Sequence, residues 1–508
     1  MPRVANSSTS PAPSGGWNAR DALANMPAGD AVILDNFVPY TTECRLRAGS
    51  ADYVTDVPGD VETLAVYNKA DGSHQMFAAA SGNIYNVTTA GAVGAPVQSG
   101  LTSNRWQYMN FATSGGKFMY MVNGVDKPRL WNGTTWVAVD GASTPAITGV
   151  TTTNLISVNV YQNRLWFVEK DTLKVWYLPV SSIGGAALAF DLSAIFGGGG
   201  YLMAMGTWTL DSGNGMDDHA VFVSSEGQIA VYRGTDPASA SNWFLVGVYR
   251  VGAPVGRRCM TQYASDLLII SADGLLPMSR ALASSRVNTG ISLTDKIQLA
   301  ATEAVSNYKT NFGWEAQLYP EENLLLMNVP VPGGSEQYVM FTLSGSWCRF
   351  TGWDARCFAR MGSELFFGTT GKVVKAWTGV SDSGQNITGE ALAAFQYHNG
   401  MSLKRYTMCR PIISVDSSAV AILMGLNVDF DQTAPVGSPT LITVPIGVWD
   451  TSVWDSAPWS SGFVIQKNWQ TISGIGYCAA IHFKITSSGA QIRWQSTDYV
   501  FEQGRGFV

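Results

Sequence analysis

The sequence predicts an all-β protein: a β-propeller of short antiparallel sheets, a C-terminal β-sandwich and one inserted helix. Three observations point there. Charged residues make up 14% of the 508 residues, against about a quarter in an ordinary globular chain. Glycine is abundant, at 53 residues, and so are strand-favouring aromatics, with 17 Trp and 19 Tyr. Apolar strands separated by Gly and Asn turns recur along the chain at spacings of roughly 35 to 60 residues.

The first 60 residues read as an arm and an extended strip. Residues 1–16 are polar and rich in Ser and Pro, the composition of a flexible arm. Residues 31–49 carry the apolar run Val32, Ile33, Leu34, and Pro39 ends regular pairing there. Residues 61–380 read as the propeller body. Six candidate units appear, beginning with LAVYNKADGSHQMFAAASGNIYNV, whose Asp71-Gly72 turn suits a tight hairpin. Asn123-Gly124 and Asn132-Gly133 mark the second unit and Asp273-Gly274 the fifth. The sixth runs from QYVMFTLSGSWCRFTGW into ELFFGTTGKVVKAWTG. A short sheet cannot bury both of its own faces, so such units must stack on one another.

One stretch breaks the strand pattern. Residues 292–307 place Ile297, Ala300, Ala301, Ala304 and Val305 at helical spacing, and Ser292 with Asp295 resembles a capping box. Packing on the body is the first expectation for this helix, and contact with a neighbouring subunit the second. SDSGQN (381–386) has the composition of a linker. Residues 381–508 then read as this linker and a β-sandwich. In IHFKIT, Ile481, Phe483 and Ile485 fall on one face, and His482, Lys484 and Thr486 on the other.

The bulk properties limit the function. A net charge of −6 argues against a basic nucleic-acid reader. The six cysteines form no CxxC pair; they read as free buried thiols, with a Cys348–Cys357 bridge the other option. Four histidines leave little room for a zinc site or for the commonest general base. The chain shows no apolar leader at its start and no apolar run of about 18 residues, so neither export nor a membrane span is expected. No cofactor is expected either.

Several constellations bear on chemistry. Gly197–Gly200 lacks the Lys-Ser/Thr of a phosphate loop, and Gly371-Lys372 is followed by Val373. Asp217-Asp218-His219 reads as a solvated loop or turn before a strand, with metal binding or acid–base chemistry as the sharper options. Glu321-Glu322 and Asp429 with Asp431 are carboxylates of the type glycosidases use. Trp449, Trp454 and Trp459 are spaced like a sugar-binding platform, with a protein interface or core packing as the other readings. These features sustain an alternative function, a carbohydrate-binding or glycoside-hydrolysing propeller such as a receptor-binding protein. The chain is nevertheless expected not to be an enzyme.

Two end regions carry a resemblance. Asp35-Asn36-Phe37-Val38-Pro39, followed by Arg45, Arg47 and Gly49, resembles the opening of the tail nozzle proteins of short-tailed bacteriophages, also called tail tubular or DNA-stabilising proteins. Lys404-Arg405-Tyr406, Arg410-Pro411, residues 425–430 and the ending from Tyr499 to Gly506 are similar to the family's second half. The region 345–373 resembles its final blade. Arg505 departs from the family's acidic-glycine ending, and the middle blades match by pattern only. The resemblance implies a virion tail component assembled in the host cytoplasm. It would form a homo-oligomer, a hexameric ring below the portal and the head-to-tail adaptor. Genomic DNA would be retained by and then pass through that ring without sequence-specific binding, and tail fibres or spikes would dock outside. On this reading Asn36, Phe37, Pro39, Arg45, Arg47, Arg405 and Arg410 are candidate interaction residues. Phe196, Gly197, Gly198, Gly199, Gly200 and Tyr201 form a candidate gate loop. An acidic wall repels phosphate, which suits a channel that DNA must slide through.

Overall fold

The computed structural model describes residues 5–211, 216–281, 292–416, 420–442 and 463–504. Among the described residues seven small antiparallel sheets surround one axis. Their innermost strands are Thr63–Asn68, Gln107–Thr113, Leu155–Tyr161, Leu202–Asp211, Met260–Tyr263, Glu315–Tyr319 and Cys357–Met361. Each packs against the next, and the seventh packs against the first, so the ring is closed. The protein is a β-propeller.

The hairpins within blades follow from turn chemistry. Gly72 and Gly274 adopt φ of 84° and 99°, a region open to glycine at no steric cost. In the third blade Gln162 and Asn163 both take positive φ, making the two-residue turn between Leu155–Tyr161 and Arg164–Glu169. Aromatics fill the seams between blades. Trp166 and Tyr232 lie nearly parallel to Trp243 at 5.6 and 5.4 Å, joining blades 3 and 4. Burying each such ring stabilises the seam by about 1.5–3 kcal/mol.

The blade number corrects the six units suggested by the turn pattern. The sixth unit is two blades, one built on Leu324–Val331, Gly334–Phe341 and Ser346–Phe350, the other on Glu364–Thr369 and Lys372–Ala376. They read as one because only residues 351–356 separate them. The last blade takes its outer strand, Ser50–Thr55, from before the first blade. Stitching the start of the chain to its last blade removes the two free edges an open ring would expose.

The second body is a sandwich of two sheets. One contains Lys404–Val415, Ile492–Gln503, Cys44–Leu46 and Phe37–Pro39, with Gln470–Gly476 on its outer edge. The other contains Asp30–Asp35, Ile387–Ala393, Ala479–Ser487 and Val420–Val428. Phe37, Phe483 and Trp494 meet between them edge to face, with Phe483 and Trp494 centred 4.6 Å apart, and all three are fully buried. Ile481, Phe483 and Ile485 face this core as the alternation predicts. The opposite face is less open than the pattern suggests. His482 is fully buried, with Nε2 2.9 Å from Glu390, whose other oxygen meets Lys484 at 2.9 Å.

The polar start is not a loose arm where it is described. Ala5–Pro11 pairs residue for residue with 496–502 as an added strand of the first sheet. Its Ser and Thr residues suit a strand with one face to solvent, which composition alone cannot tell from disorder.

The inserted helix is Gln298–Tyr308, led by a short turn at Asp295–Ile297. Ile297, Ala304 and Val305 bury against blades 5 and 6, and Ala301 is buried with them, so the helix packs on the body. Ser292 does not cap it: its Oγ is 3.1 Å from the Leu275 carbonyl and 2.7 Å from Thr294 Oγ1, fastening the preceding loop to blade 5. All six cysteines are free and buried. Burial pushes the thiols of Cys259, Cys357 and Cys409 up to about 12, which leaves them inert. Among the described residues no helix is long and apolar enough to cross a membrane.

Candidate interaction sites and the axial channel

The motif residues at the start of the strip converge on one joint between sandwich and propeller. Asn36 sits between two strands with φ of 58°, a left-handed conformation Asn tolerates. Its amide nitrogen donates to Thr351 Oγ1 at 2.9 Å and to the Thr388 carbonyl at 2.8 Å. Its oxygen accepts from the Thr351 amide at 2.9 Å and from Arg47 Nε at 2.8 Å. Arg47, 3% exposed, forks onto both oxygens of Asp382 at 2.9 and 2.6 Å and donates to the Thr351 and Ala48 carbonyls. Trp353 lies under the guanidinium at 4.8 Å. Asp35 receives the fork of Arg349, on the outer strand of blade 6, at 2.8 and 2.7 Å. Gly49 completes the joint: a Cβ there would fall 2.0 Å from the Ser381 carbonyl oxygen.

Asp382 belongs to SDSGQN, so this segment is tied down at the joint rather than spanning a gap. Asn36, Phe37, Pro39 and Arg47 are buried within their own chain. Arg45 is half-exposed, stacked 4.1 Å over Tyr40 and 2.7 Å from Glu43. Arg405 and Arg410 lie on the outer face of the sandwich. Arg405 is exposed, whereas Arg410 binds Asp498 at 2.7 Å and covers the ring of Trp469 at 4.6 Å.

The glycine loop links blade 3 to the inner strand of blade 4. Phe196 anchors it in the core between those blades. The Gly198 amide donates to Gln228 Oε1 at 2.8 Å, and the Tyr201 and Ser225 backbones meet at 2.7 Å. Gly197, Gly199 and Gly200 are exposed, and none of residues 196–201 lines the axial cavity.

That cavity has a volume of 330 Å³ and is lined by inner strands of all seven blades. This is room for on the order of ten water molecules. Arg258 crosses it. From the entry to blade 5, its guanidinium reaches the Glu62 carbonyl at 3.0 Å, Thr63 Oγ1 at 2.8 Å and the Trp106 carbonyl at 3.1 Å, in blades 1 and 2. It pairs with Glu315 of blade 6 at 2.9 Å, and Glu315 in turn accepts the Phe358 amide of blade 7. Burial opposes the charge on Arg258, but Glu315 beside it holds the guanidinium above its ordinary range. Burial likewise pushes the Glu315 carboxyl up, against the pull of Arg258. Arg258 thus ties four blades together and its partner Glu315 adds the fifth, a contact that no local sequence pattern announces.

The carboxylates considered for glycoside chemistry do not meet. Glu321 and Glu322 sit in a turn of blade 6, where Glu322 borders a groove with Arg45 and Trp377. Asp429 accepts the Tyr477 amide at 2.7 Å and Asp431 the Thr433 hydroxyl at 2.7 Å, both in turns of the sandwich. The 217–219 triplet is not a loop, because Met216–Ser224 is continuous strand. Asp218 accepts a hydrogen bond from Thr209 Oγ1 at 2.8 Å, and the His219 ring packs at a tilt against Trp208, 5.8 Å between centroids. Trp449, Trp454 and Trp459 lie outside the described residues.

No family model matches the chain, and no curated protein matches it in sequence. Solved structures resemble it at low identity. Raptor from Chaetomium thermophilum is 11% identical with a TM-score of 0.40, over 65% of this chain and 28% of that one. YCF48 bound to the D1 peptide is 9% identical with a TM-score of 0.38, over 70% of this chain and 99% of that one. The chain therefore spans little more than a quarter of the length of Raptor.

Proposed function

We propose that the chain is a tail nozzle subunit of a short-tailed bacteriophage. In this reading copies close into a ring below the portal and adaptor, retain the genome, and release it through the central opening. The observation that carries it is the joint. The residues of the opening motif, Asp35, Asn36, Arg47 and Gly49, are all used to hold the sandwich against the last two blades. A motif devoted to the angle between two bodies suits a wall element, whose task is to keep its shape under load.

The size of the axial cavity adds a constraint. With Arg258 across it, the axis of the propeller admits no nucleic acid, so a DNA path belongs between copies of the chain. The outer face of the sandwich, with Arg405, Arg410 and the exposed Trp469, is a fitting place for the adaptor, fibres or spikes. The virion tail, assembled in the host cytoplasm, is the corresponding location.

Light scattering and negative-stain imaging of the purified chain with its adaptor test the reading. Rings of six copies are expected. A stable monomer that binds glycans and forms no ring with the adaptor present sinks it in favour of a carbohydrate-active propeller.

A further inference from the structure

One face of the propeller, where the inner strands of blades 2, 5 and 6 begin, holds a second cavity. Residues 103–107, 123–125, 256–258 and 309–314 enclose 360 Å³ at the mouth of the axial channel. Four cations stand on its wall: Arg105, Arg257, Arg258 and Lys309. Two are balanced, Arg105 by Glu62 at 2.8 Å and Arg258 by Glu315 at 2.9 Å. Arg257 and Lys309 make no ion pair among the described residues. Arg257 donates one hydrogen bond, to the Asn123 carbonyl at 3.1 Å, and its side chain lines the cavity.

The surroundings hold Arg257 in place without neutralising it. Gly124 has φ of 76°, and a Cβ there would press on Ile156 at 2.5 Å and reach the Arg257 guanidinium at 3.4 Å. Only glycine lets this turn come so close. Crowding by neighbouring protein lowers the guanidinium pKa, and Asp171 compensates only in part. Yet the side chain remains open to water. Those two facts together describe a cation set into a concave wall. Beside it Phe312 offers an apolar floor, already carrying Arg105 at 4.4 Å and Arg258 at 5.3 Å on its ring. Val125 is exposed on the same wall.

We propose that the channel mouth binds a small organic oxyanion, a phosphate or carboxylate on a flat apolar body. Arg257 and Lys309 neutralise the charge, and the exposed Val125 on the wall beside Phe312 covers the body. The planar donor fork of a guanidinium matches the paired oxygens of such groups, and the concave wall shields the pair from screening. The inference does not rest on the tail reading, since it concerns a pocket inside one chain.

Isothermal titration of the full chain at low ionic strength tests it, with phenyl phosphate and benzoate as probes for the two oxyanions. Inorganic phosphate, and phenol as the uncharged body, are the controls. Saturable binding of phenyl phosphate or benzoate is expected, at least about tenfold tighter than inorganic phosphate and absent for phenol. Arg257→Ala is expected to weaken it about tenfold or more, and Lys309→Ala about threefold or more. Lys309 is exposed, so its variant folds and keeps the test open if Arg257→Ala does not. Heats no larger than those of potassium chloride at equal ionic strength overturn the proposal. So does binding that both variants retain, or inorganic phosphate binding as tightly as phenyl phosphate, which marks an adventitious ion only.

Discussion

The propeller and the sandwich are both built of antiparallel strands, but from opposite kinds of contact. In a blade the partners are neighbours in sequence: Thr63–Asn68, His74–Ala80 and Asn83–Asn86 pair in turn through short loops. In the sandwich Ala5–Pro11 lies on 496–502, and Asp30–Asp35 lies on Ile387–Ala393. A blade is specified by what stands beside it. The sandwich exists only once both ends of the chain are present, and closing so long a loop costs entropy before any contact repays it. Ser50–Thr55 belongs to the propeller by position and to the second kind by origin.

The largest effect should come from removing one end. Deleting residues 1–46 takes Leu34, Phe37 and Cys44 out of the sandwich core, at about 2–5 kcal/mol for each large side chain. Hydrogen exchange is expected to show lost protection over 404–428 and 479–503 and retained protection over 107–250. If protection falls in both regions together, they are one cooperative unit and the contrast fails.

Next comes the joint itself. Arg47→Ala leaves Asp382 without its partner at a site where the arginine side chain is 1% exposed. A loss of about 3–5 kcal/mol in denaturant unfolding is expected. Arg47→Lys should recover only part of it, because an ammonium cannot fork onto both carboxylate oxygens while also reaching Asn36. Full recovery with lysine would mean that charge alone, not the planar fork, holds the two bodies together.

The same contrast explains what was legible in the sequence. Blades announce themselves because pairing is local and each hairpin needs a turn residue, as at Asp71-Gly72 and Asp273-Gly274. The boundary between blades 6 and 7 was hidden because a short connection looks like another hairpin. The helix was visible because Ile297, Ala301, Ala304 and Val305 keep one face. Ala5–Pro11 was not, since a polar strand whose partner lies at the far end of the chain has the composition of an arm. The candidate site shows the same limit. Asn36 and Arg47 stood out as a motif, but nothing in the spacing revealed that they bind Asp382 and Thr351. Arg257 and Arg258 carry no motif at all, and their meaning depends on five blades converging.

A titration separates the two regions further. His398 packs on Tyr499 at 4.6 Å and lies 3.2 Å from Ser8 of the added first strand. Burial, aided by Lys404, lowers its pKa to about 4. An unfolded chain therefore takes up a proton near pH 6.5 that the folded one refuses until about pH 4. The contribution to stability is complete above pH 6.5 and is lost as pH falls through that window. It amounts to as much as about 3 kcal/mol. His398→Phe should flatten the acid limb of sandwich unfolding, followed by exchange at 496–502, and leave the blades unchanged. An unaltered acid limb would mean that His398 is solvated in the folded protein.

Two glycines give the smallest effects and the sharpest contrast between the regions. Gly389, in the sandwich, faces its core: a Cβ there would fall 2.5 Å from the Phe37 ring and 2.7 Å from Leu46. Gly389→Ala should cost about 1–3 kcal/mol by overpacking, and trimming Leu46 to Val should restore part of it. Gly72, in the first hairpin, has no atom within 4 Å of an added Cβ, so space is not at issue. Its φ of 84° is, and Gly72→Ala should cost about 1 kcal/mol through the backbone alone. Asn at the same position should recover most of that loss, since Asn enters this region more readily. No change in a neighbouring side chain should recover any. A strand pair joined by its own turn can thus be repaired at the turn, whereas one joined across the chain must be repaired at its packing partner.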